Sequence, residues 1–259
     1  NLIRDGILPF EPQPVAVDDI SDFTSGIMLR DYQEHALKTF LSHGAIGVYW
    51  PPGAGKMFLA LHALSVLKGL KLIVVPTLML VEEWKRKIRQ YVPGPQQQLI
   101  NVTTYISAEK YREGKLKFTL VVYDEHQHLP ANTYARLATI PTKYRMGLSA
   151  TPFREDGRVD LIFALTGYPV GLAWDEYFKM GLVQKPIAYC YIVQDFTAKM
   201  KLIKDSISKS QGRTIIYCDS IDLGKQISTD LNIPFVSGET SKNRLQLIEN
   251  NRVSVVSRV

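Results

Sequence analysis

The spacing of apolar residues changes period repeatedly along this chain. Over 29–43, "LRDYQEHALKTFLSH", they recur at helical intervals. A β-like run "GAIGVYW" follows at 44–50, then a glycine-rich turn. Residues 57–69, "MFLALHALSVLKG", predict a helix that stops at a glycine. Next come a short buried strand at 71–76, a helix at 78–92, and strands at 98–105 and 117–125. A helical stretch at 131–140 and a strand at 144–151 complete the run. Strands alternating with helices of this length predict βα units and a mainly parallel sheet, whose ligands gather at the carboxyl ends of the strands.

The alternation resumes beyond a Gly-rich link at 166–181. It predicts strands at 186–193, 213–219, 234–237 and 253–257, with helices at 196–210, 221–231 and 241–250 between them. The expectation is therefore an α/β chain of two parallel-sheet domains, 27–165 and 182–259, after an extended arm at 1–26. The second domain is expected to be incomplete, because the chain stops at "SRV" in a strand-to-loop passage. There are no solenoid-period repeats and no low-complexity segments.

Composition narrows the class only a little. The chain has 259 residues, 46% of them hydrophobic and 22% charged, which is ordinary for a soluble globular protein. No stretch approaches the ~18 consecutive apolar residues of a membrane span. The opening "NLIRDGILPFEPQP" lacks the charged-then-apolar layout of a signal peptide, so the reading is cytoplasmic (nuclear in a eukaryote), with no membrane. A net charge of +6, from 31 basic and 25 acidic residues, suits a phosphate-backbone partner without requiring one. Cys190 and Cys218 lie far apart in apolar segments and read as buried free thiols in a reducing compartment; a disulfide or metal pair is the alternative.

Candidate chemistry collects at the predicted strand ends. In "VYWPPGAGKMFLA" (48–60) a strand passes through glycines to a lysine at a helix start. The strict phosphate-loop pattern fails at both ends, with Trp50 first and Met57 last. What remains, Pro52, Gly53, Ala54, Gly55 and Lys56, can wrap backbone amides and one cation around phosphates; a plain turn is the other reading. "VVYDEHQHLP" (121–130) ends an apolar strand in two carboxylates. Asp124 fits a Mg2+ ligand and Glu125 a residue that orients or deprotonates the attacking water, unless the pair is a solvated strand end. His126 and His128 have no Cys/His set around them, so zinc is not expected.

Three further stretches are weaker. Arg30 and Gln33 in "LRDYQ" stand about 20 residues before the glycine loop, and an amide such as Gln33 can pair with the N6/N7 edge of adenine. Thr77 in "VVPT", and Thr103 and Thr104 in "VTTY", put hydroxyls where a nucleic-acid backbone could be gripped. Each is also ordinary loop chemistry. Ser149 and Thr151 in "LSATP" are small hydroxyls able to link the water-activating carboxylate to a second site.

In this order, "LRDYQ", "GAGK", "VVPT", "VTTY", "DEHQ" and "SATPFRED" resemble a superfamily 2 helicase motor of the DExH kind. The run "GLSATPFREDGR" (147–158) resembles the XPB helicases, whose motif III is followed directly by an Arg-Glu-Asp triplet on a DNA-facing loop. Here that triplet is Arg154, Glu155 and Asp156. The resemblance covers about 27–259, and the short chain looks closer to archaeal members. It implies two RecA-like domains of the P-loop NTPase class, with ATP between the lobes and double-stranded or forked DNA across the top. It also implies ATP-driven translocation on or opening of duplex DNA in excision repair or transcription initiation, and in archaeal relatives a structure-specific nuclease partner.

By matching positions, the resemblance gives Gln33 the adenine, Lys56 the phosphates, Asp124 and Glu125 the metal and water, and Ser149 and Thr151 the coupling to movement. Three departures stand against it. Met57 offers no hydroxyl to Mg2+, motif V appears only as "VSVVSRV" with motif VI missing, and a helical thumb has no room after 193. The chain alone is therefore expected to turn over poorly or not at all. A hydrolysis-impaired nucleotide-binding scaffold that positions a nuclease on DNA is the alternative, followed by other superfamily 2 motors.

Overall fold

A computed structural model describes residues 13–23, 25–114, 116–129, 134–150, 165–171, 174–238, 240 and 244–257. The chain divides into two compact units, Asn1–Pro186 and Ile187–Val259.

The first unit is built on six parallel strands in the order β3-β2-β4-β5-β1-β6. These are β1 (Ala45–Tyr49), β2 (Lys71–Val75), β3 (Ile100–Thr104), β4 (Phe118–Asp124), β5 (Thr142–Ser149) and β6 (Tyr168–Val170). Helices α1 (Asp31–His43), α2 (Lys56–Val66) and α3 (Leu78–Tyr91) alternate with them, together with one-turn helices α4 (Gly94–Gln97) and α5 (Tyr105–Ala108) and helix α6 (Trp174–Lys179).

Two apolar layers explain why the central strands read as unbroken hydrophobic runs. Ile73, Val75, Leu120 and Val122 pack with α1, α2 and α3 in one core. Their neighbours Leu72, Val74, Val121 and Tyr123 pack with Tyr105, Leu137 and Ile140 in a second core. Register then aligns the functional ends: Tyr49 of β1 is level with Ser149 of β5, and Asp124 of β4 is level with Leu148.

The second unit has three parallel strands in the order β7-β9-β8, namely β7 (Thr214–Cys218), β8 (Phe235–Val236) and β9 (Val253–Ser257). Helices α7 (Phe196–Lys209), α8 (Ile221–Leu231) and α9 (Arg244–Asn250) alternate with them. Met200, Cys218, Ile227 and Val255 form its core. No helix among the described residues is long and apolar enough to cross a membrane.

Four expectations change. The strand expected at 186–193 pairs with nothing among the described residues, and Ile187, Tyr189, Tyr191 and Ile192 are exposed. An apolar run becomes a strand only where another backbone meets its amides. Cys190 is consequently exposed rather than buried, and both cysteines are free thiols. Within the expected link, Tyr168–Val170 instead forms the edge strand β6 against β1. Its Pro169 is tolerated at an edge, where an amide is dispensable. Gly167 enters that strand at φ +113°, where a Cβ would lie 2.3 Å from the Ala45 carbonyl carbon. Finally, the described part of the helix expected at 131–140 is a 3₁₀ segment, Ala135–Thr139.

The arm is held down as far as it is described. Val15 is buried and its N–H donates to the Leu41 carbonyl, while Ser21 N–H donates to Val66. Tyr144 of β5 accepts from the Ala16 N–H at 2.9 Å and donates to Asp19 at 2.7 Å. That hydroxyl, followed by Lys143, holds the Asp19 carboxyl below its ordinary value. Stability from a lowered carboxyl is present above the unfolded pKa and lost as pH falls through the folded one. Tyr144→Phe is expected to cost about 1 kcal/mol at pH 7, roughly 3 °C in melting temperature, and less at pH 3. Thermal unfolding at the two pH values checks this; an equal loss at both would remove Asp19 from the clasp.

Candidate functional site

The glycine loop is held from the start of α1. Tyr32 packs edge-on against Trp50, with ring centroids 5.0 Å apart, and its hydroxyl donates to the Ala54 carbonyl at 2.7 Å. The Gln33 amide donates to Ala54 at 3.3 Å and Gly55 at 3.1 Å, and its carbonyl accepts from the Arg30 N–H at 2.9 Å. Trp50 therefore fills the place of the pattern's first glycine by becoming core. Gly53 and Gly55 both adopt φ +82°, and a Cβ on Gly55 would lie 2.4 Å from the Gln33 amide nitrogen. Arg30, Gln33, Gly53 and Gly55 line a cleft of about 270 Å³ with Phe58 and Tyr91. Pro52 is exposed on the same loop.

Lys56 opens α2, and its ammonium donates back to the Trp50 carbonyl at 2.6 Å. Burial lowers its pKa, opposed by the charges of Glu125 and Asp124. Met57, next in line, is partly buried and packs into the main core. It presents a packing surface where a Ser or Thr would present oxygen.

Asp124 ends β4 with its carboxylate buried. Oδ2 accepts from the Trp84 indole N–H at 2.8 Å and Oδ1 from the Glu125 N–H at 3.1 Å. Burial nevertheless pushes the acid up to about 6. Glu125 turns the chain at φ +50°, a left-handed conformation for a side-chain-bearing residue. Its carboxylate accepts from the Gln127 amide at 2.8 Å, and that amide's oxygen accepts from the Ser149 hydroxyl at 2.7 Å. One amide thus joins the glutamate to the serine of the "SAT" stretch.

His126 is fully buried against Tyr49, with ring centroids 5.0 Å apart, and burial pushes its pKa down to about 3. Neither ring nitrogen has a hydrogen-bond partner among the described residues. A Cβ on Gly147 would fall 1.7 Å from His126 Nδ1, so this turn docks only over a glycine. Among the described residues, no three His, Cys, Asp or Glu side chains converge as a metal cluster.

Thr77 and Thr104 cap α3 and α5, accepting from the Leu80 and Ser107 N–H groups at 3.3 Å each. Thr77 follows β2 and Thr104 ends its paired neighbour β3, both on the sheet's carboxyl edge. Thr103 is buried at 8% exposure, which leaves Thr104 the accessible member of the pair. Thr151, Arg154, Glu155 and Asp156 lie outside the described residues. Sequence reasoning missed Tyr32, Trp84, Tyr105 and the bridging role of Gln127. Their partners are distant in the chain, and only the "DEHQ" stretch itself pointed to Gln127.

Residues 26–154 match the ResIII family, described as "Type III restriction enzyme, res subunit". A "Putative DNA 3'-5' helicase Rad25" of Haloarcula marismortui is 29% identical over 84% of this chain and 42% of its own length. The "DNA 3'-5' translocase XPB2" of Sulfurisphaera tokodaii is 36% identical over 64% of this chain and 38% of its own length. The chain is similar to the XPB/Rad25 DNA helicases. Archaeal members are among these relatives, and the chain spans about two fifths of their length.

Two solved structures share the fold. The "Sulfolobus solfataricus SWI2/SNF2 ATPase core in complex with dsDNA" matches with a TM-score of 0.51 and 14% identity, covering 92% of this chain and 80% of that one. "S. cerevisiae Dbp5 bound to RNA and ADP BeF3" matches with 0.59 and 13% identity, covering 88% and 69%. The parallel α/β sheets beside these XPB/Rad25 relatives are of the RecA-like type.

The Asp124 acid sits above its ordinary 3.8, so the native state binds its proton more tightly and loses stability as pH rises through about 4–6. Asp124→Asn removes that loss. Relative to the parent the variant is expected to gain about 2–3 kcal/mol between pH 4 and pH 8, starting lower at pH 4 because its amide nitrogen cannot accept from Trp84 or Glu125. Paired denaturation curves test it; a pH-independent difference would mean that Asp124 is not strained by burial.

Proposed function

We propose that this chain carries the motor of an ATP-dependent DNA helicase or translocase of the XPB type. The observation that carries the reading is the edge itself. Asp124 and Ser149 end the neighbouring strands β4 and β5, Lys56 opens α2, and Glu125, directly after β4, is tied to Ser149 through one amide. The names of the relatives support DNA as the substrate. Excision repair or transcription initiation, in the cytoplasm or a nucleus, and a structure-specific nuclease as protein partner complete the proposal.

The residues present fit Mg2+. This cation takes one or two carboxylates, substrate phosphates and several waters rather than an all-protein cage. Asp124 offers a buried carboxylate whose oxygens, with one hydrogen bond each, keep free lone pairs. Bound there, Mg2+ would neutralise charge on the β- and γ-phosphates. Met57 contributes no oxygen, so that position would fall to water.

The protein's own part follows from its hydrogen bonds. The amides of the Pro52–Met57 loop face the phosphates, and Lys56 exchanges the Trp50 carbonyl for a phosphate oxygen. Arg30 and Gln33 border the base cleft. Glu125, aimed by Gln127, takes the proton of the attacking water. A change in that water shifts the Glu125 carboxylate, the Gln127 amide turns with it, and Ser149 with Thr151 passes the change on. Thr77 and Thr104, with the amides their helices expose, hold the DNA backbone, and Arg154, Glu155 and Asp156 act at the duplex junction.

One observation favours a second reading. Met57 is partly buried and packs against the core, which suits a nucleotide-binding scaffold that positions a nuclease and turns over slowly. Steady-state ATP hydrolysis by the complete native protein, with and without forked DNA, separates the two. The motor reading expects DNA-stimulated turnover, at least a hundredfold loss in Glu125→Gln, and about tenfold gain in Met57→Thr. Turnover only in Met57→Thr would support the scaffold, and turnover in neither would refute the motor in this chain. Stimulation by RNA above DNA would overturn the substrate.

Gln127→Leu keeps volume and removes the bridge. ATP binding is expected to stay within about twofold of the parent while stimulation by DNA is lost. Retained stimulation would show that the bridge carries no signal.

A further inference from the structure

Asp124 is held at two atoms by side chains outside the glycine loop and its own strand. Trp84 Nε1 donates to Oδ2 at 2.8 Å, and the Tyr105 hydroxyl donates to the Asp124 backbone carbonyl at 3.0 Å. Both donors are shut away from water, at 0% and 2% exposure. They approach from opposite faces of the sheet, since Trp84 belongs to the first core and Tyr105 to the second. A buried acceptor that loses such a donor finds no water to replace it.

We infer that Trp84 and Tyr105 are positioning residues that fix Asp124 for its metal. The inference rests on the nucleotide-site reading above. An indole N–H suits the task because it is neutral. It fixes the carboxylate torsion and eases desolvation, yet leaves the full charge for a cation, which a lysine or arginine would compete for. Tyr105 fixes the main chain where the left-handed turn of Glu125 begins, so it sets the aim of the second carboxylate as well.

Position adds a consequence. Trp84 lies on α3, capped by Thr77, and Tyr105 is the first residue of α5, capped by Thr104. A displacement of either helix at its cap therefore reaches Asp124 through a single hydrogen bond, at the carboxylate from α3 and at the backbone carbonyl from α5. Neither residue is part of the chemistry, and neither touches the phosphates.

Mn2+ binding in the presence of a non-hydrolysable ATP analogue, followed by electron paramagnetic resonance, tests this without turnover. Tyr105→Phe keeps the ring and deletes the donor, while Trp84→Phe deletes the donor and replaces the indole by a smaller aromatic ring. Both are expected to weaken Mn2+ binding, Trp84→Phe by about tenfold or more, with metal-free analogue affinity within about twofold of the parent. A purely structural role would lower both affinities together, and that result overturns the inference. So does Mn2+ affinity within twofold of the parent in both variants, which leaves the nucleotide-site reading standing. If the parent itself binds no Mn2+ with the analogue, that reading falls and this one with it. Should Trp84→Phe fail to fold, the near-isosteric Tyr105→Phe decides alone.

Discussion

Removing the Asp124 carboxylate from water is the constraint around which the first unit is arranged. Burial lifts its acid to about 6, and each neighbour can be understood by how it offsets that cost without cancelling the charge. Trp84 and the Glu125 amide supply neutral donors, while Lys56 supplies positive potential at a distance. No arginine or lysine makes a direct ion pair with the carboxylate among the described residues. The parallel sheet makes this possible, because its strand ends bring Tyr49 level with Ser149 and Asp124 level with Leu148 while both faces stay dry.

The glycine loop shows the same economy. A loop free to flex would lose entropy on each binding event, and here three donors from α1 hold its carbonyls before anything binds. Trp50 and Met57, which break the strict pattern at its two ends, are the residues through which the loop joins the core. Packing at those two positions therefore competes with ligation.

The succession of strands and helices was largely legible in the sequence because it depends on local periodicity. The candidate site was legible only in its loop and carboxylates. Trp84 lies 40 residues from Asp124 and Ser149 lies 22 from Gln127, so no local window contains either hydrogen bond. The sequence suggested Gln33 for a base contact, whereas its grip on Ala54 and Gly55 required the fold. Strand β6 was hidden because three residues flanked by glycines carry no period, and 186–193 misled because an apolar run resembles a strand whether or not a partner exists. Cys190 followed that error into the open.

Glu125 occupies a backbone conformation that glycine or asparagine adopts more comfortably, at a cost of the order of 1 kcal/mol or more. Optimising this chain for thermal stability alone would replace the glutamate early. The result would be a sturdier fold with the carboxylate beside Gln127 erased. Selection for robustness and selection for chemistry thus pull in opposite directions at a single dihedral angle.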